Sequence, residues 1–173
     1  MKKLLFIMIM LAPMVVVGKK KVKYRPVYDY YVTSPQNLKS KSFEDSCVRF
    51  TFEWYEYKNY CISVEIRNKT NSRIYVEWEN ARIDNGPICF RTDTYANYQD
   101  PKPDEVIHAK GYTKKELMER NNVGYDIKFF RTSFLREPGD KTTNTLIIPI
   151  RVGDNVYDYK IDVSLFLERL IPK

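Results

Sequence analysis

The stretch Leu146-Ile147-Ile148-Pro149-Ile150-Arg151-Val152-Gly153-Asp154-Asn155-Val156-Tyr157-Asp158-Tyr159-Lys160-Ile161-Asp162-Val163-Ser164-Leu165 decides the fold class. Leu146, Ile148, Ile150 and Val152 share one face of an extended chain. After Gly153-Asp154, the residues Tyr157, Tyr159, Ile161, Val163 and Leu165 alternate with Asp158, Lys160, Asp162 and Ser164. A period of two is the mark of half-buried strands. A two-residue loop with Gly first suits a type II′ turn, so a hairpin is predicted. Pro149 has no N–H to give to a ladder, and an edge segment or a bulge is expected there.

The same alternation recurs upstream. Val48, Phe50, Phe52 and Trp54 alternate with Arg49, Thr51, Glu53 and Tyr55, and Ile62, Val64 and Ile66 with Ser63, Glu65 and Arg67. Asn68-Lys69-Thr70-Asn71-Ser72 is a dense turn signal, followed by Ile74, Val76 and Trp78 at strand spacing, so the two strands it joins are expected to pair as a hairpin. Asn68-Lys69-Thr70 also has the form of a glycosylation sequon, and we read it as turn chemistry. Asn85-Gly86 offers the positive φ of a tight turn that returns the chain into Ile88 to Arg91. Thr92 to Asp104, with Pro101 and Pro103, reads as an exposed excursion. Thr113 with Glu116 three residues on forms a capping box, which predicts a short helix through Leu117, Met118 and Arg120. Ile127 to Phe134 resumes the strand pattern. Counted together, about seven strands and one short helix predict an all-β, immunoglobulin-like antiparallel β-sandwich over residues 43–173, with a small β-barrel as the alternative. Aromatic residues at 14% suit rings packed between sheets.

The N-terminus has a different character. Lys2 and Lys3 precede an apolar run from Leu4 to Val17 broken only by Pro13, and Val16-Val17-Gly18 supplies small residues around a cut after Gly18. Residues 1–18 therefore read as a signal peptide. A retained anchor is the alternative, for which the run falls short of the roughly 20 residues that span a bilayer. Lys19, Lys20 and Lys21 follow at once, and positive charge beyond a signal opposes translocation. Residues 19–42 read as a flexible basic linker, although its tyrosines are also suited to docking as an added strand. The expected location is the periplasm, the cell envelope or the medium.

A formal net charge of +7 favours anionic surfaces. For an exported chain that means lipid headgroups, a cell-wall polymer or an acidic protein, and no nucleic acid. Cys47, Cys61 and Cys89 allow one disulfide and one spare thiol. Parity puts Cys61 beside Ser63 and Glu65 and sets Cys89 between Ile88 and Phe90, which points both out of the core. If 61–67, 73–79 and 88–91 pair as successive hairpins, Cys61 and Cys89 sit two strands apart, and no specific bridge is expected.

Chemistry has little to rest on. His108 is the one histidine and the usual general base, but Glu105 shares its face only in a helix, whereas Val106-Ile107 reads as a strand. Neither the cysteine spacing nor a single histidine supplies a metal site, and Asp84, Asp100, Asp104 and Glu105 lack calcium-loop spacing. No enzyme activity and no cofactor are expected. Trp54, Tyr55, Tyr57 and Tyr60 surround the first hairpin turn, Lys58-Asn59; exposed rings there suit a protein partner or stacking on sugars, while cross-strand aromatic pairs also stabilise hairpins unaided.

Ile62-Ser63-Val64-Glu65-Ile66-Arg67-Asn68-Lys69-Thr70, followed by Ile74-Tyr75-Val76-Glu77-Trp78-Glu79-Asn80-Ala81, resembles a pattern in small exported β-sandwich proteins of Bacteroidetes-type bacteria. There one strand ends in Asn-Lys-Thr and the next carries Ile-x-Val-x-Trp. The resemblance extends loosely over residues 48 to 165 and implies a cell-envelope location without any catalytic residue to carry over. The lipid-anchoring cysteine of many such proteins is missing after this signal. The sequence thus points to a non-catalytic exported module that binds a protein through a sheet edge or the Trp54 to Tyr60 loop, with binding of a carbohydrate or cell-wall polymer as the alternative.

Overall fold

The computed structural model describes residues 22–35, 39–56, 60–94, 96–122 and 128–172. The signal segment 1–18 and the Lys58-Asn59 turn with Tyr57 lie outside the described residues. Among the described residues eleven strands form: β1 (Tyr24–Ser34), β2 (Ser42–Glu44), β3 (Val48–Glu53), β4 (Ile62–Asn68), β5 (Ile74–Val76), β6 (Arg82–Ile83), β7 (Gly86–Phe90), β8 (Glu105–Ile107), β9 (Tyr112–Glu119), β10 (Lys141–Val152) and β11 (Asn155–Pro172). The count of about seven is too low because the 11-residue β1 reads locally as a linker and the eight-residue β9 as a helix, while β2, β6 and β8 span only two or three residues each.

All pairings are antiparallel along the path β1-β11-β10-β6-β7-β9-β4-β3-β2, with β5 beside β10 and β8 beside β5. The two ends of this path meet where the Val32 N–H donates to the Ser40 carbonyl at 2.7 Å. The chain is therefore all-β, an antiparallel sheet nearly closed into a barrel. Its core is the inward set that the alternation named: Phe50, Phe52, Ile62, Val64, Ile66, Leu146, Ile148, Ile150, Ile161, Val163 and Leu165 are buried. Each large apolar side chain so buried contributes about 1.5–3 kcal/mol relative to exposure. Among the described residues every buried apolar side chain falls between Tyr30 and Leu167.

The terminal hairpin forms as read, with Val152 opposite Asn155 and Gly153 at φ 61°. Pro149 pairs with Asp158 on the β11 side, and on the other side it falls in the gap between β6, which pairs up to Leu146 and Ile147, and β5, which begins at Ile150. That gap is the edge segment Pro149 called for. A 3-10 turn over Trp78–Asn80 fills it, so Trp78 is buried at the end of β5 rather than within a strand.

Several expectations are corrected. β5 pairs with β10 and β8, so no hairpin joins it to β4. Residues 113–119 form no helix: Thr113 to Leu117 pair with β4, and Leu117 to Glu119 with β7, before a 3-10 turn over Arg120–Asn122. The capping-box side chain is used elsewhere, since Thr113 Oγ1 donates to Glu105 Oε1 at 2.7 Å. Ladder hydrogen bonds on both edges override local helix propensity. Ile127 lies outside the described residues. Phe129 and Phe130 are buried without joining a sheet, and Thr132–Phe134 is a 3-10 turn. In the β6–β7 hairpin the loop residues are Asp84 and Asn85, with Asp84 at φ 53°, while Gly86 opposes Ile83. Gly86 is needed for space: a Cβ there would stand 2.6 Å from Glu119 Cγ.

The basic flank is also structured. From Tyr24 it forms β1, paired with β11, and Tyr30 and Val32 enter the core. The excursion after β7 packs back on the barrel: Asp93 accepts from the Phe90 N–H at 2.8 Å, and the ammonium of buried Lys102 lies 2.9 Å from Asp93. Cys89 is consequently buried, and Cys61 is buried on β4's flank. Neither points into solvent as parity suggested, because that reading assumed an uncovered outer face. All three cysteines are free thiols. Burial, then the Asp93 charge, pushes the Cys89 thiol up to about 11, which leaves it inert at neutral pH.

Candidate functional site

The period of two that sends Phe50 and Phe52 inward continues into Trp54, and the ring is only 8% exposed. It meets Tyr30 edge-on at 6.3 Å and Phe130 at 5.5 Å. Of the expected aromatic site, Trp54 is core, Tyr55 and Tyr60 are exposed, and Tyr57 lies outside the described residues. Tyr55 is held by its hydroxyl, which donates to Glu53 Oε2 at 3.2 Å. A stacking surface centred on the indole is therefore not available. Tyr60 instead borders a small cleft with Asp84, Glu119, Lys128, Arg131 and Asn144. Two of these groups serve the fold: Asp84 Oδ1 accepts from the Thr145 N–H at 2.8 Å, and the Asn144 amide donates to the Phe129 carbonyl.

His108 is exposed just beyond β8, while Glu105 turns inward. Glu105 Oε2 accepts from Trp78 Nε1 at 2.8 Å, Oε1 takes the Thr113 hydroxyl, and the Lys115 ammonium is 3.2 Å away. Burial disfavours the charged form, but those hydrogen bonds and Lys115 outweigh it and hold the Glu105 pKa below the ordinary glutamate value. Beside it, Glu79 accepts from the Lys102 N–H at 2.7 Å and from Arg120 at 3.1 Å. Arg151 bridges Glu77 at 3.1 Å and Asp104 at 2.9 Å. This network fastens the excursion and β8 to the barrel. Among the described residues no three His, Cys, Asp or Glu side chains converge as metal ligands would, and no helix is long and apolar enough to cross a membrane.

The feature that the sequence reading passed over is the edge of β1. The strand has 11 residues and pairs along its length with β11. On its other side, among the described residues, the Val32–Ser40 bridge is the backbone hydrogen bond present. The Tyr30 N–H faces that side and is met only by the adjacent Asp29 carboxylate at 2.9 Å. Backbone groups from Tyr24 to Tyr31 thus form an open edge about eight residues long, within the length of an ordinary strand. The local signal for it is confined to Tyr28, Tyr30 and Val32 alternating with Asp29, Tyr31 and Thr33, and it does not name the partner strand.

No protein-family model, curated protein or solved structure matches the chain.

Proposed function

We propose that this chain is a non-catalytic exported protein of the cell envelope that works by binding another protein, which adds an extended segment to the open edge of β1. The observation that carries the reading is that edge: unpaired N–H and C=O groups along a long strand are a template for one more strand. Natural sheets shield such edges with bulges, charges or covering loops unless a partner does so. Here the shielding amounts to irregular register at Val27/Tyr28 and at Val32/Ser34, Pro26 without an N–H, and the Asp29 carboxylate with the Lys41 ammonium 3.4 Å from it. Export is supported by the apolar segment after Lys2 and Lys3, and the envelope by the resemblance to exported proteins of Bacteroidetes-type bacteria.

The test is site-specific photocrosslinking in intact cells that express the full chain, with the crosslinker at Val27 beside the edge and, as a control, at exposed Tyr112 on β9. One reproducible adduct from position 27 that is absent from position 112 supports the reading. Equal, diffuse crosslinking from both positions, or none, would remove its basis.

A further inference from the structure

We propose that the free end of the β1–β11 ribbon is a lipid-contact surface that rests on an anionic membrane, independently of the N-terminal apolar segment. β10 accompanies β11 only as far as the pair Lys141–Phe166, so Glu168 to Pro172 have β1 alone for company. The result is a two-stranded arm beyond the barrel. Its register sorts side chains onto two faces, because directly opposed residues of an antiparallel pair share a face. Tyr24 opposite Pro172 and Pro26 opposite Leu170 make one face apolar; Arg25 opposite Ile171 and Val27 opposite Arg169 make the other cationic with apolar filling.

None of this arm is needed to complete the core, yet it exposes more apolar surface than a solvated tip requires. Val22 is 55% exposed, Tyr24 53%, Ile171 41% and Leu170 37%. Apolar and aromatic side chains flanked by arginines are the composition that settles at a headgroup boundary, rings and aliphatic groups inward and guanidinium groups on phosphates. A shallow cleft at the arm takes its lining from both faces: Arg25, Val27 and Ile171 from one, Pro26, Tyr28 and Pro172 from the other, with Glu56 beside them. On the arm itself Lys23, Arg25 and Arg169 outnumber Glu168, and Glu56 is the acidic group beside it. The choice of occupant follows from where the chain comes from. Val22 is preceded directly by Lys19, Lys20 and Lys21 and by the apolar run Leu4 to Val17. Whether that run is cut or kept, export delivers this end of the barrel to a bilayer face first. A second copy of the chain would have to bring together two arms of like charge.

The test uses the chain from Val22 to its end, which keeps every buried apolar residue named above while removing the segment that would bind membranes by itself. It is sedimented with vesicles of phosphatidylcholine alone and of phosphatidylcholine mixed with phosphatidylglycerol. Binding to the mixed vesicles, weakened by salt, is expected; Arg25→Glu with Arg169→Glu should weaken it about 25-fold or more, given about fivefold for each of the two surface cations lost. Ile171→Asp should weaken binding too, while Arg67→Glu, remote on β4, should leave it unchanged. Melting temperatures confirm that the variants fold, and Arg25→Gln replaces the double variant if that one does not. Equal sedimentation with both vesicle types, or parental binding by the arm variants, overturns the proposal. So does a dimer in solution that the same arm variants dissolve.

Discussion

The hydroxyl of Tyr159 on β11 donates to Asp45 Oδ2 at 2.8 Å, and the other oxygen of that carboxylate accepts from the Cys47 and Val48 amides, each at 2.8 Å. One side chain therefore shapes the turn from β2 into β3 and latches it to the far side of the barrel. The Tyr159 ring lies between, 5.1 Å from Phe50 and 6.3 Å from Phe43. Tyr159→Phe should keep the packing and lose the latch, at a cost of about 1–2 kcal/mol in urea unfolding. Asp45→Ala removes three acceptor contacts and should cost more.

The same pair sets an alkaline limit. Burial first, then the Asp45 hydrogen bond and charge, raise the Tyr159 pKa above its ordinary value of 10.0. A folded-state value above the unfolded one means that the stabilisation is fully present below pH 10 and is lost as pH rises beyond it. Melting temperature followed upward from neutral pH should fall above about pH 10, and Tyr159→Phe should flatten that fall.

At the acid end the sign reverses. Glu105, Glu79 and Glu53 all have pKa values below the ordinary 4.5, Glu105 despite its burial, through hydrogen bonds from Thr113 and Trp78 and the Lys115 charge. A lowered folded-state value gives stability that is present above pH 4.5 and is lost as pH drops through the folded value. Stability measured downward from neutral pH should decline below about pH 4.5. Glu105→Gln should shrink that decline and change the Trp78 emission, because the indole N–H loses its charged acceptor.

Asn68 holds the turn that the sequon-like triplet suggested. Its Oδ1 accepts from the Thr70 N–H at 2.8 Å, and its Nδ2 faces the carbonyls of Ser72 at 2.7 Å, His108 at 3.0 Å and Ile107 at 3.1 Å. The residue is buried, and its amide nitrogen has no room for a glycan. Asn68→Ala should cost about 2–3 kcal/mol by orphaning buried groups. Asn68→Asp should be worse, since it places acceptor against acceptor; denaturant melts of both variants check the order.

Legibility in the sequence followed the range of the interaction that fixes each element. β3, β4, β10 and β11 were visible because alternation and a neighbouring turn specify them locally. β9 was read as a helix because Thr113 and Glu116 satisfy a local rule, whereas its two sheet partners lie far away in the chain. β1 was set down as a linker for the same reason: Tyr30 pairs with Leu165, a contact no local pattern announces. Trp54 shows the limit for the site. Its inward parity was read correctly, but the aromatic cluster was still placed on the surface, since Phe130, the ring that helps to cover it, belongs to a segment read as a separate strand.

The open edge of β1 is the claim on which the functional reading stands, and amide hydrogen exchange of the isolated protein measures it residue by residue. In an antiparallel edge strand, amides alternate between partner and solvent. Because the Tyr30 and Val32 amides face away from β11, those of Asp29 and Tyr31 face towards it. Slow exchange at Asp29 and Tyr31, slow exchange at Val32 through Ser40, and fast exchange at Tyr30 is the expected pattern. Uniformly fast exchange from Tyr24 to Val32 would mean a linker and no strand, and uniform protection would mean an edge already covered; either result contradicts the account.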